Sequence, residues 1–390
     1  MRNTILSPDG RLLFVTRGLR LFAYGSLSVV LMIYLSQLGL SETRTGLLFT
    51  LALFGDTAIS LWLTTSADRK GRRHMLILGA LLMVFAGAVF SVTDNFILLL
   101  VAATIGVISP SGNEVGPFLS IEQAALSQIV PDSSRTGVFA WYNLAGSFTT
   151  ALGALFGGLL TQALQGAGVT PLGSYRVIVV VYAAIGLILA FLFMRVSSAV
   201  EVVRTTDTVP EKAADSFLGL HKSKGVVFRL SALFSLDAFG GGFILQSMMA
   251  YWFHVRFNVQ PATLGGIFFG ANILAGLSSL SAAWVASRIG LVRTMVFTHI
   301  PSNILLILVP LMPNLPLAVG VLLLRFSISQ MDVPTRQSYT MAIISPDERS
   351  AAAGITGVAR TTGAAVSPML SGPLLANAAF MNVPFFLAGA

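Results

Sequence analysis

"ADRKGRRHMLILGA", residues 67–80, decides how this chain reads. Asp68, Arg69, Lys70, Arg72, Arg73 and His74 crowd around Gly71, and then the charge stops. On either side, 44–66 and 73–93 are apolar enough to cross a bilayer, which takes about 20 residues of helix. A short, arginine-rich loop between two such spans marks the cytoplasmic face, because Lys and Arg are retained there. One loop thus sets both class and orientation: an integral membrane protein with its N-terminus in the cytoplasm.

The rest of the 390 residues agrees. Hydrophobic residues make up 55% and charged residues 10%, well short of the roughly 25% that a water-facing surface carries. Apolar stretches recur at 12–38, 44–66, 73–93, 96–128, 136–164, 174–195, 226–255, 262–286, 291–312, 315–344 and 350–377. A twelfth begins near Val383 and is expected to be incomplete at Ala390. The reading is all-α. With the N-terminus inside, the outer loops hold only Arg44, Arg176 and Arg256 of the 24 basic residues, while Arg325, Arg336 and Arg360 fall within spans. The remaining basic residues are cytoplasmic, which explains the net charge of +8 without nucleic acid. A plasma (inner) membrane is the expected location. "MRNTILSPDGRLLFVTRGLR" spreads arginines through what a cleaved signal peptide keeps apolar. No cysteine is present, and the four histidines are scattered, so no metal centre and no cofactor are expected.

The chain repeats itself. "FAYG" (22–25) matches "DAFG" (237–240), "ADRKG" (67–71) matches "ASRIG" (286–290), and "NEV" (113–115) matches "MDV" (331–333). "EQ" (122–123) matches "RQ" (336–337), and "GALFGG" (153–158) matches "SPMLSG" (367–372). The spacing is nearly constant, with a short insertion in the first copy after Glu114. Such a repeat indicates two six-helix bundles, 1–196 and 225–390, joined by a polar cytoplasmic linker at 197–224. Transporters built from repeats place their site at the repeat interface near the bilayer midplane.

At 67–80 a resemblance becomes specific. Asp68, Arg69, Gly71, Arg72 and Arg73 stand at the matching places of G-x-x-x-D-R-x-G-R-R, the loop signature of the major facilitator superfamily, with Thr64 where the family has its leading glycine. The resemblance implies a transporter, not an enzyme, that carries a small molecule by alternating access as a monomer. It also implies a latch in which Arg72 pairs with Glu122 and Asp68 caps the eleventh helix; Glu122 as a cargo ligand is the alternative. Gly153, Ala154, Gly157 and Gly158 resemble the end of the drug/proton antiporter signature, with alanine for proline. The antiporter arginine of the fourth helix is missing.

Charges inside a span cost about 2.5–3.5 kcal/mol each on insertion scales, so each needs protein or water beside it. The candidates are Asp56, Glu114, Glu122, Asp237, Asp332, Arg325, Arg336 and Arg360, joined by Arg17 and Arg20. As one helix, 95–131 would run about 54 Å, too long for a single crossing. "SPSGNEVGP" (109–117) therefore predicts a break that either lines a cavity with Glu114 or lets the helix leave the membrane. Its twin "SQMDVPTRQ" (329–337) offers Asp332 and Arg336 at i and i+4, which either face the cavity or neutralise each other. Asp237 and Asp56 are candidates for a coupling proton, or for static pairs with Arg360 or Arg20. Tyr24 is the aromatic expected in a cargo pocket, while Tyr251 and Trp252 read as interfacial belt.

The function expected is proton-coupled export of a small molecule. The alternatives are symport or facilitated uptake of an organic anion, and a non-transporting receptor or scaffold of the same fold.

Overall fold

A computed structural model of the protein describes residues 6–201, 220, 222–345 and 348–390; the side chains of Asp68, Asp132, Ser133, Thr136 and Ser350 are outside this set. Most of the expected linker, 202–219 and 221, therefore lies outside the described residues. The first half comprises α1 (Pro8–Gln37), α2 (Glu42–Lys70), α3 (Arg72–Val92), α4 (Phe96–Ile105), α5 (Phe118–Ile129), α6 (Asp132–Gly166) and α7 (Pro171–Met194). The second comprises α8 (Lys224–Gly242), α9 (Gln246–Phe257), α10 (Pro261–Ile289), α11 (Leu291–Leu308), α12 (Leu315–Ser329), α13 (Asp332–Ile343), α14 (Arg349–Leu375) and α15 (Val383–Gly389).

Local chemistry sets the boundaries. Ser7 caps α1 by accepting from Gly10 N–H at 3.1 Å, with Pro8 at the first helical position. Thr170–Pro171 starts α7 in the same way, because proline lacks only a donor that would be orphaned there. The basic loop is a one-residue turn at Gly71 (φ 98°), and Gly290 (φ 88°) makes the same turn between α10 and α11. Positive φ is costless only for glycine. Surrounding helices enclose α1, so that Ala23 to Leu35 are all buried. Exposed leucines, isoleucines and aromatics such as Leu61, Trp62, Leu187, Ile188 and Phe297 form the lipid-facing surface.

Three of the spans are interrupted. The fourth opens between α4 and α5, where Gly112 (φ 71°) and Gly116 (φ 80°) take conformations that no helix allows. The tenth breaks only at Gln330–Met331, between α12 and α13. The insertion in the first copy thus falls in the wider opening. The seventh span, expected to be continuous from 226 to 255, instead breaks at Phe243–Leu245. Gly240, Gly241 and Gly242 supply little helix propensity there, and the restart at Gln246 finds a partner across the molecule.

Glycines let the helices touch. A side chain at Gly25 would meet the Thr150 carbonyl, and one at Gly153 would meet that of Phe22, so α1 and α6 pack backbone to backbone. Between halves, Gly46 of α2 lies on Pro368 and Gly372 of α14, while Gly265 of α10 lies on Ala154 and Gly158 of α6. The repeat equates Gly46 with Gly265 and Gly158 with Gly372. The two contacts are copies of one another, as an approximate two-fold axis requires.

The α1–α6 packing yields a test. Gly25→Leu and Gly153→Leu should each destabilise the protein by about 1–3 kcal/mol through overpacking. Gly266→Leu should not, since Gly266 has open space beside it. Thermal midpoints of the purified proteins would show this; equal midpoints for all three would refute the packing.

Candidate functional site

In the first half a polar cluster is sealed from solvent. Arg20 of α1, with no exposed surface, donates to Glu122 of α5 through both terminal nitrogens, at 2.8 and 2.7 Å. Its Nε reaches Glu114 at 2.8 Å, in the opened stretch between α4 and α5. Thr16 (3.2 Å) and the Tyr142 hydroxyl also donate to Glu122, and Arg17 lies 3.5 Å from Glu114. Phe118 and Tyr142 present ring faces to Arg20 and Arg17. A bidentate arginine–carboxylate pair with its remaining lone pairs filled is the arrangement that tolerates burial. It straps α1 to the opened stretch of the fourth span and to α5 beyond it.

The second half answers with the signs exchanged. Asp237 of α8 matches Phe22 in the repeat, two residues on from the place of Arg20, and Arg336 of α13 stands where Glu122 stands. Arg336 donates to Asp237 at 3.0 Å and lies 3.3 Å from Asp332. His299 of α11 places Nε2 3.3 Å from Asp237 and Nδ1 3.8 Å from Asp332. Here the groups are open to solvent: the side chains of Asp237 and His299 are 31% and 40% exposed. Two carboxylates share one guanidinium and one imidazole.

The halves meet in a third polar group. Ser247, at the restart of the seventh span, donates its N–H (3.0 Å) and hydroxyl (2.6 Å) to the Pro110 carbonyl in the break of the fourth. Gln246 donates to Ser28 at 2.7 Å and accepts from Asn272 at 3.2 Å. Toward the ends of the spans farther from the N-terminus, Thr50 donates nothing but accepts from Met369 N–H (2.9 Å), Gln162 accepts from Ala262 N–H (3.0 Å), and Tyr251 donates to Glu42. Among the described residues, no hydrogen bond joins the halves on the N-terminal side. The molecule is therefore closed on the far face.

Several expected roles change. Glu122 does not pair with Arg72: its early position in α5 faces α1, whereas Gln128, nearly two turns later, faces α3. Arg72 donates to Gln128 (2.9 Å) and to the Val200 carbonyl (3.1 Å). Glu201 caps α3 by accepting from Arg72 and Arg73 N–H, at 2.7 and 3.1 Å. Arg69 is exposed, and the cap expected from Asp68 lies outside the described residues. Asp56 pins the fourth break by accepting from Gly116 N–H at 2.6 Å. Tyr24 is fully buried and donates to the Val115 carbonyl, so it lines no pocket in this conformation. Trp252 is buried too, bonded to Asn382, because α9 packs on α1 and the indole lies against Phe385 of α15. Arg325 and Arg360 form no ion pair with any described residue, though both lie within electrostatic range of Asp332. Sequence reading missed His299, Tyr142, Gln246 and Asn272; the signal was a polar side chain in an otherwise apolar run.

Comparison with known proteins places this geometry. The family model described as Major Facilitator Superfamily matches residues 13–388. A curated relative, "Uncharacterized membrane protein YJR124C" of Saccharomyces cerevisiae, is 32% identical over 98% of this chain and 91% of its own length. Among solved structures, a bacterial homologue of the human lysosomal transporter Spinster, inward-facing and unoccupied, superposes with a TM-score of 0.75. It has 17% identity over 96% of this chain and 83% of that one. A bacterial homologue of the iron transporter ferroportin, also inward-facing, gives 0.74 at 13% identity over 98% and 96%.

The sealed cluster predicts non-additivity. Arg20→Leu leaves buried carboxylates unanswered and should cost about 3–5 kcal/mol. Arg20→Leu combined with Glu122→Leu should recover a large part of that loss. A double variant as unstable as the sum of its singles would contradict the strap.

Proposed function

The chain belongs to the major facilitator superfamily, and on that premise we propose that it is a proton-coupled exporter whose coupling resides in Asp237, His299, Asp332 and Arg336. Secondary transport across a membrane, rather than enzymatic chemistry, follows from the family and the fold. The observation that carries the coupling is the contrast between the halves. The Arg20 and Glu122 side chains have no exposed surface, whereas those of Asp237 and His299 are 31% and 40% exposed, and Asp237 shares Arg336 with Asp332. A proton arriving at Asp237 would release Arg336 to Asp332, changing how α8 is tied to α13. That is a bistable contact, which a transporter needs so that one ligand can bias which face is open. Export is favoured by the antiporter-like run Gly153, Ala154, Gly157 and Gly158, which packs against α1 and α10 at the contact that must open. The basic loops put the N-terminus in the cytoplasm, so the present conformation opens inward.

Uptake of an organic anion remains the second reading, supported by Arg325 and Arg360, which have charge to offer. Net flux in proteoliposomes under an imposed pH gradient separates it from export by direction.

Two tests need no known cargo. Because no native cysteine is present, single cysteines report cleanly. A cysteine at exposed Asp94 should react with an impermeant thiol reagent outside right-side-out vesicles, and one at Lys70 should not; the reverse pattern would invert the orientation. Second, Asn113→Cys, exposed in the break of the fourth span, should label from the N-terminal side. Its rate should change several-fold between about pH 5.5 and 8.5, the range that brackets an ordinary imidazole. Adding Asp237→Asn should flatten that dependence; an unchanged pH profile would remove Asp237 from coupling.

A further inference from the structure

Where the two halves stop touching, their polar lining is made of amides and hydroxyls. Gln246 sits at the first turn of α9, half-buried, between Ser28 and Asn272. Asn272 spends its amino hydrogens on Gln246 and on the Phe268 carbonyl at 2.8 Å. Its Oδ1 has no hydrogen-bond partner among the described residues. Gly112 lies against Ser28 and Gln246, with no room for a side chain. It holds the next residue, Asn113, exposed and with its side-chain amide unpartnered among the described residues. Depth follows from helix rise: Ser28 is about 14 Å below the far end of α1, and Asn272 about 16 Å below that of α10. The hydrocarbon core is about 30 Å thick, so the group stands near its middle.

We propose that Asn113, Gln246 and Asn272, with buried Ser28 holding Gln246 from behind, form a cargo subsite for a neutral, hydroxyl-rich small molecule of the pentose, hexose or nucleoside class. The proposal rests on the transporter reading but not on proton coupling. A charged cargo would need a counter-charge at this depth, since an ion stripped of water without one costs several kcal/mol. The arginines of α1 and α13 are committed, Arg20 to Glu114 and Glu122 and Arg336 to Asp237 and Asp332. Arg325 and Arg360, unpaired among the described residues, stand on α12 and α14, which supply none of the group's residues. A hydroxyl both donates and accepts, and so does a carboxamide. Asn272 Oδ1 and the Asn113 amide are the groups that cargo hydroxyls would satisfy. A cargo spanning Asn113 and Asn272 would also touch both halves, and would therefore sense their relative position.

The test is thermal unfolding of the full chain in lipid nanodiscs with D-xylose, D-glucose, uridine, citrate or tetraphenylphosphonium. At least one neutral probe should raise the midpoint in a dose-dependent way. Asn272→Leu and Gln246→Leu should each weaken that response by about tenfold, one unanswered hydrogen bond's worth, read as the shift from each variant's own midpoint without probe. Arg360→Gln should leave it unchanged. Stabilisation by citrate or tetraphenylphosphonium alone, no response to any neutral probe, or a neutral response that survives both leucine variants would overturn the proposal. Labelling of Asn113→Cys from each face, measured without cargo, reports alternating access separately, so failure of the subsite is distinguishable from failure of the transporter reading.

Discussion

A charge within hydrocarbon has to be answered by another charge, and the Arg20–Glu122 pair is where this protein meets that demand most completely. Two carboxylates converge on one guanidinium that no solvent reaches, and hydroxyls from Thr16 of α1 and Tyr142 of α6 donate to Glu122 beside it. Because one carboxylate lies in the opened stretch of the fourth span and the other on α5, the arginine on α1 keeps that stretch from drifting. The freed backbone is in turn held by Asp56 on Gly116 and by Ser247 on Pro110. An irregular segment at membrane depth survives only when its groups are satisfied within the protein, and these contacts satisfy it.

Duplication then gives the second half a different task. The strap between the first and fourth helices of the repeat is kept, with its signs exchanged: acid on α8, base on α13. A second acid and a histidine are added beside it, and part of the cluster is open to solvent. One half is therefore bound tightly, while the other holds a pair that protons can redistribute. Between them, the matched glycine contacts of α2 with α14 and of α6 with α10 allow close backbone approach on the far face. Packing of small residues, which in lipid substitutes for a hydrophobic driving force, closes that face without locking it by charge.

Much of this was legible in the sequence. The loop at 67–80 declared the class, the internal matches located both halves, and "SPSGNEVGP" announced the broken span because proline and two glycines cannot continue a helix. The seventh span was less legible: its glycines are common in membrane helices, and only the partner at Pro110 makes a restart at Gln246 worthwhile. The pairing of Glu122 could not be read from the loop, since a shift of two turns along α5 decides whether α1 or α3 is faced. His299 and Asn272 looked like stray polar residues until the fold set them beside Asp237 and Gln246. Linear order shows which residues are costly to bury; it does not show which other residue meets the cost.

The central claim is that each half moves as a unit held by its own strap, while the contact between halves opens and closes about the midplane group. Spin-label distances between introduced cysteines test it most directly, with pH varied in lipid nanodiscs. Lys70 with Ser287 spans the halves on the N-terminal side, Ala167 with Gln260 spans them on the far side, and Lys70 with Arg195 stays within the first half. Rigid rocking predicts that the first distance shortens as the second lengthens, in matched populations, while the third keeps one narrow value. A within-half distance that changes along with the others, or gates that vary independently, would contradict it.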